Sequence, residues 1–200
     1  MDEESKRHTD PSAEANLPVR VHGYQRRWSL HGEMPGLNST YLSVTQEKKA
    51  SFNGVIYRLR HPDHIKKYDQ RETGYCRQEL RAEEIELYTK ALPPQKQLWI
   101  YVAAHPKHEV PTKNYPMVQS YVDLFLRGCI QIEEKFKIPH FARDCIRSTD
   151  DWSVHWVNDR IFPRRPYVYE PYAVKIDTLI KQNLSATFTQ IKTPQISYSP

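Results

Sequence analysis

Cysteine is scarce in this 200-residue chain: Cys76, Cys129 and Cys145 are odd in number, far apart and free of any Cys-x-x-Cys spacing. That usage argues against a disulfide framework and for a reducing compartment, so a cytoplasmic protein is expected. No stretch approaches the roughly 20 uncharged apolar residues that a membrane helix needs. Residues 1–16 are acidic, basic and polar by turns, without the apolar run of a secretory leader. A membrane partner is therefore not expected. Internal repeats are missing as well. Nor is there a strong charge of one sign: 29 Lys and Arg against 24 Asp and Glu leave +5, a mild excess that does not by itself imply nucleic acid.

What is present suffices for a folded domain. Hydrophobic residues make up 38% and aromatics 12%, with 13 Tyr, which excludes wholesale disorder. A single domain of this length buries roughly 70% of its unfolded surface. Residues 1–16 read as a flexible lead-in or a short capped helix. From Leu17, LPVRVHGYQRRWSL alternates apolar and polar residues and predicts a strand kinked at Gly23. TYLSV and FNGVIYRL read as two further strands, with Gly54 marking a close backbone approach. Pro62 and Asp63 open a helix of about two turns that ends before Gly74, a residue suited to the left-handed position past a helix end. YCRQEL, IELY and KQLWIYVAA are extended, the last reading as a strand buried on both sides. Val118, Tyr121, Val122, Phe125, Cys129, Ile132 and Phe136 fall at helical spacing and predict the longest amphipathic helix. PHFARDCIRST predicts another helix and AVKIDTLIKQNL a terminal one, on either side of an aromatic, Pro-rich stretch. Strands first and helices later favour an α+β fold over a doubly wound sheet.

The sharpest cluster of chemistry-bearing residues runs from Asp69 to Tyr75, where a carboxylate, a guanidinium and a phenol converge at a helix-to-strand turn. With Glu72 in the last helical turn, the negative end of the macrodipole opposes its ionisation, and burial would add to that. Both effects raise its pKa toward the range of a proton shuttle. The ordinary alternative is a solvated pair of helix-end charges, Arg71 and Glu72. Tyr121 lies on the apolar face of the long helix, where it lines a pocket or packs as a core tyrosine.

Three blocks carry a resemblance: Gly23-Tyr24-Gln25-Arg26-Arg27-Trp28, then Phe52-Asn53-Gly54-Val55-Ile56-Tyr57, then Tyr68 through Arg77. In this order, with the stretches Tyr115 to Asp123 and Trp152 to Pro166 after them, the chain resembles the gamma-glutamylcyclotransferase-like family, including its ChaC-type members acting on glutathione. The likeness covers about residues 17–182. It implies a small mixed β-barrel flanked by helices, and an enzyme that cyclises a γ-glutamyl amide to 5-oxoproline and releases an amine, with no cofactor. By family position Glu72 is the catalytic acid and base, and Arg71, Tyr75 and Tyr121 bind the substrate. The partner implied is a small γ-glutamyl compound. One departure stands out, because the family begins with a strand leading into a Tyr-Gly-Ser-Leu or Tyr-Gly-Ser-Asn loop whose backbone N–H groups hold the γ-glutamyl moiety. This sequence has no Tyr-Gly-Ser. Its opening resembles the segment that family members carry just after that loop, so the expectation for the chain as given is an absent first strand and weak turnover. A non-catalytic barrel that binds a ligand or partner is the alternative.

Other constellations compete. His61 with His64 and His105 with His108 are pairs three residues apart that, with Asp63 or Glu109, reach metal-ligand spacing. Both lie in Pro-broken polar loops, and no metal is expected. Trp152, His155, Trp156, Asn158, Asp159, Arg160, Arg164 and Arg165 could stack and neutralise RNA. Aromatic closure of one barrel end, with arginines paired to carboxylates, is the favoured reading, and nucleic acid is not an expected partner. Cys76 is near Glu72 but has no His close in sequence, so a nucleophilic role is not expected.

Overall fold

The computed structural model describes residues 3–33, 38–89, 97–104, 108–161 and 169–193. Its centre is a long hairpin of β1 (Leu17–Gly32) and β2 (Ser39–Ile56), antiparallel from Leu17 opposite Ile56 to Gly32 opposite Ser39. The register slips between His22 and Tyr24, where Gly23 has φ +82° and the ladder bulges. That bulge is the kink expected at Gly23. The runs TYLSV and FNGVIYRL fall in one strand that ends at Ile56: Gln46 pairs with Tyr24 and Ser51 with His22, while the residues between, 47–50, bulge out of the ladder with Glu47, Lys48 and Lys49 exposed. The tight backbone approach lies at Gly32, where a Cβ would come within 2.4 Å of the Tyr41 ring, rather than at Gly54, where the nearest atom would be 3.4 Å away.

A short helix α1 (Glu3–Thr9) precedes the hairpin. Lys6 on it is fully buried, its ammonium bonded to the Glu14 carbonyl, to Asn16 Oδ1 at 3.0 Å and to Glu3 at 2.7 Å. Of the two readings for residues 1–16, the described part is therefore a docked helix. After β2 come a 3-10 turn (Pro62–His64), α2 (Ile65–Arg71), β3 (Tyr75–Leu80), a second 3-10 turn, β4 (Ile85–Leu87) and β5 (Leu98–Ala103). β4 pairs antiparallel with β1, and β3 with β5. β5 lies against β2. It is not buried on both faces as expected. Its ladder partner is β3, and Trp99 remains 36% exposed with the Arg77 guanidinium over its ring. Val19, Val21, Tyr24, Phe52, Leu80 and Leu98 fill the space the strands enclose.

The second half is helical. β6 (Met117–Val118) leads into α3 (Gln119–Phe136), followed by α4 (Phe141–Arg147), β7 (Thr149–Asp150), β8 (Trp156–Val157), α5 (Ala173–Asn183) and α6 (Ser185–Phe188). β7 adds to β1 and β8 to β6, both in parallel. Trp28 from the hairpin, Met117, Val122, Leu126, Trp156 and Ile176 form the larger core between these helices and the sheet. The architecture is α+β, with a mixed β framework flanked by helices. Among the described residues, no helix is long and apolar enough to cross a membrane.

Gly74 closes the turn between α2 and β3 with φ +86°, and a Cβ there would have open space, its nearest neighbour being Leu30 Cδ2 at 3.9 Å. The cost of substitution is thus conformational. We expect Gly74→Ala to lower stability by about 1 kcal/mol, read from the midpoint of urea unfolding.

Candidate active site

Glu72 sits at the C-terminus of α2 as its cap residue, with φ −86° and ψ 53°. Its amide donates to the Tyr68 carbonyl, and its own carbonyl accepts from Tyr75 N, so the turn is fixed from both sides. Its carboxyl is 20% exposed. Among the described residues no hydrogen-bond donor contacts it, and the cation within reach is Arg71, with Nε 3.6 Å from Oε1. Burial raises the pKa of Glu72 above its ordinary 4.5, and the Arg71 charge pulls it partly back. The expected rise is present, with burial as its main cause.

Three phenols lie near enough to this carboxyl for its charge to act on them: Tyr57 just past the end of β2, Tyr75 on β3 and Tyr101 on β5. Burial is the leading cause that pushes all three pKa values upward, so all are neutral at physiological pH. Tyr75 donates its hydroxyl to the Leu42 carbonyl at 2.7 Å. Tyr101 donates to Asp69 Oδ1 at 2.8 Å, and Arg77 reaches Asp69 Oδ2 at 3.0 Å. Arg71 is anchored to α1 through a 2.6 Å bond from Nη1 to Thr9 Oγ1. Tyr121 stands edge-on to Trp28 and Tyr41, at ring separations of 5.7 and 5.2 Å, and its own field reaches the Tyr75 phenol. The structure thus brings Glu72, Arg71 and Tyr75 to one turn, while Tyr121 packs with Trp28 and Tyr41. Sequence reasoning did not pick out Tyr57 and Tyr101 as neighbours of Glu72. The alternation of β5, which puts Tyr101 with Trp99 on one face, was the available signal.

A second polar cluster lies on α1 and the turn after it. Asp10 is fully buried, and its carboxylate accepts from Ser12 N at 3.0 Å and Ser12 Oγ at 2.7 Å while facing His64 Nδ1 at 3.0 Å. Ser12 Oγ also meets His64 at Nδ1. A nucleophilic triad needs serine and aspartate on opposite ring nitrogens, so this is a structural clasp. Burial opposes the charge on Asp10, but the bonds from Ser12 and His64 prevail and hold its pKa below 3.8. A carboxyl depressed in the folded state contributes stability above its unfolded pKa, and that contribution is lost as the pH falls through the folded value. Asp10→Asn should therefore cost about 2 kcal/mol at neutral pH. The difference from the parent chain should shrink in unfolding curves taken at progressively lower pH below 3.8.

The remaining candidates are engaged elsewhere. His64 serves Asp10, and His108 Nε2 meets Asp151 at 2.6 Å; His105 lies outside the described residues. Trp156 is buried and stacked with Trp152, which packs in turn against Trp28. Asp159 receives Ser120 N and Oγ at 2.7 and 2.6 Å, holding the first turn of α3. Arg160 pairs with Asp123 and Asp177. These residues pack and pair as expected, while Arg164 and Arg165 lie outside the described residues. Cys76 is exposed on β3.

No protein family model matches the chain, and no curated protein does. A solved structure, a gamma-glutamyl cyclotransferase, is similar over 90% of this chain and 92% of its own, with a TM-score of 0.53 and 11% identity. The chain has the fold of a gamma-glutamyl cyclotransferase. At that identity the cyclotransferase likeness establishes the architecture, including the mixed β framework flanked by helices. It leaves the reaction to be argued from the residues around Glu72.

Proposed function

We propose that the chain binds a γ-glutamyl amide beside Glu72 and cyclises it to 5-oxoproline with release of an amine. The observation that carries this reading is a sheltered carboxyl with no donor bonded to it among the described residues and a pKa raised by burial. A group in that state can both take and return a proton more readily than an ordinary solvated carboxylate. Glu72 removes a proton from the α-amino group, whose nitrogen attacks the substrate's own γ-carbonyl and forms the ring C–N bond. The γ-amide C–N bond then breaks, and Glu72 returns the proton to the departing nitrogen. Atoms balance without water or cofactor. The neutral phenols of Tyr57, Tyr75 and Tyr101 keep the surroundings weakly polar, which maintains the raised pKa. Arg71, held by Thr9, offers its charge to the substrate's α-carboxylate, while Tyr75 and Tyr121 shape the wall. Because the reaction is intramolecular, holding the γ-glutamyl chain folded supplies much of the acceleration.

The test is to incubate the purified chain with γ-glutamyl amides of different leaving amines, a dipeptide, a free amino acid and a simple alkylamine, and to assay 5-oxoproline. Release from at least one supports the reading. A fold likeness at 11% identity is equally compatible with a second one, a barrel that binds such a compound without turning it over. Saturable binding with no 5-oxoproline from any substrate would establish that alternative.

A further inference from the structure

The alternation of β1 places Val19 and Val21 among the strand core and Arg20 on the opposite face, toward α4. On that face the hairpin and α4 border an open cleft of about 370 Å³, a volume in the range of small-molecule sites. Arg20, Gln25, Asn53, Arg147 and Ser148 line it, and none of Arg71, Glu72, Tyr75 or Tyr121 does.

Its wall carries two cations, Arg20 and Arg147, and two carboxylates, Asp144 and Asp150. The bonds of Arg20 go to Ser51 Oγ at 3.4 Å and the Tyr88 hydroxyl at 3.1 Å, and the bond of Arg147 goes to Asn183 Oδ1 at 3.3 Å. All of those acceptors are neutral. Both aspartates in the wall have arginine partners outside it, Asp144 with Arg143 at 3.1 Å and Asp150 with Arg27 at 3.3 Å, an arginine shared with Glu47 and Asp151. Behind the wall lies Arg26, 7% exposed. It donates to Thr149 Oγ1 at 2.7 Å, the Asn53 carbonyl at 2.8 Å, the Cys145 carbonyl at 2.9 Å and Ser148 Oγ at 3.1 Å. These acceptors satisfy its hydrogens without neutralising its charge. Asn53 and Ser148 belong both to the cleft wall and to the cradle of Arg26, so an anion in the cleft would sit one layer from a buried cation that has no carboxylate partner among the described residues. Leaving such a charge uncompensated is costly, and an oxyanion beside it would offset that cost.

We propose that this cleft is a binding site, separate from the Glu72 turn, for a small molecule carrying a phosphate or carboxylate group, held by Arg20 and Arg147 over Arg26. The two oxyanion sources share this chemistry and are separated by experiment. Inorganic phosphate and acetate are each titrated at constant ionic strength into the full chain, with heat of binding and thermal midpoint as readouts. One of them binds saturably and raises the midpoint, and the tighter of the two identifies the group. Arg147→Gln, at an exposed position, weakens that binding about tenfold or more, as loss of a charge-assisted bond requires. Arg20→Gln acts in the same direction, whereas Arg71→Gln, at the other site, leaves the affinity unchanged. Absence of saturable binding of either ion, or equal affinity in Arg147→Gln, would overturn the proposal. So would loss of binding in Arg71→Gln, which would place the anion at the α2–β3 turn instead. Because these readouts do not involve 5-oxoproline, their outcome is independent of the catalytic reading.

Discussion

Glu72→Gln removes 5-oxoproline release, with an expected fall in kcat/KM of about 10²–10⁴-fold, the range contributed by a positioned acid and base. Glutamine keeps the size of the side chain but can neither accept nor return the proton. The same substitution does not weaken the fold. A carboxyl whose folded pKa is raised contributes stability below its unfolded pKa, here near 4.5, and loses it as the pH rises through the folded value. Wherever Glu72 is ionised its burial is therefore a burden that the neutral amide lifts. The variant should unfold at a denaturant concentration equal to or above that of the parent at pH 7, and the two should converge below pH 4.5. Activity falling while stability holds or rises is a combination that a merely structural side chain does not produce. In the parent chain, kcat/KM should decline on the acid side as Glu72 takes up its proton. Because the Arg71 charge lowers that pKa, Arg71→Gln should move the acid limb to higher pH. Turnover retained in Glu72→Gln would remove Glu72 from the reaction.

The elements most legible in the sequence are those whose pattern and burial agree. The helix running to Phe136 shows its apolar spacing because one face packs against the hairpin while the other meets solvent. Gly23 and Gly74 were readable because a positive φ is a local requirement that few residues tolerate. β2 read as two strands because Gln46, Glu47, Lys48 and Lys49 carry no apolar signal. The strand carries on because the paired residues on either side, Gln46 with Tyr24 and Ser51 with His22, hold the bulge between them to β1, a tertiary cause invisible in local propensity. The burial of Lys6 was hidden for a similar reason, since its partners Glu14 and Asn16 meet it only once α1 folds back. At the candidate site, the turn bearing Arg71, Glu72 and Tyr75 is contiguous and could be read directly. Tyr57 and Tyr101 arrive from two other strands, so their closeness to Glu72 is a property of the sheet arrangement. The cradle of Arg26 draws on residues more than a hundred positions away, Cys145, Ser148 and Thr149, and no spacing rule announces it.

Arg160 is the position where a single substitution should cost the fold most. Its guanidinium grips Asp123 on α3 through Nε at 2.8 Å and Nη2 at 2.7 Å, and Asp177 on α5 through Nη1 at 2.9 Å and Nη2 at 2.8 Å. The two carboxylates are not equivalent. Asp177 is 41% exposed and regains water when the arginine goes, so its share is small. Asp123 is 5% exposed, and Gln119 Nε2 at 2.9 Å would be its remaining donor. Arg160→Met leaves a buried negative charge without its cation, and we expect a loss of about 3–5 kcal/mol in urea unfolding. The penalty belongs to the stranded charge rather than to the missing bond, so Asp123→Asn in the Arg160→Met background should recover most of it. Asparagine still accepts from Gln119 and carries no charge to desolvate. An additive double variant would show that the arginine acts through packing of its stem instead. The clamp ties α3 to α5, elements that contribute Tyr121 but not Glu72 to the candidate site. Under native conditions the recovered double variant should therefore show unaltered kcat/KM for whichever γ-glutamyl amide the parent turns over, which separates holding the helices from doing the chemistry.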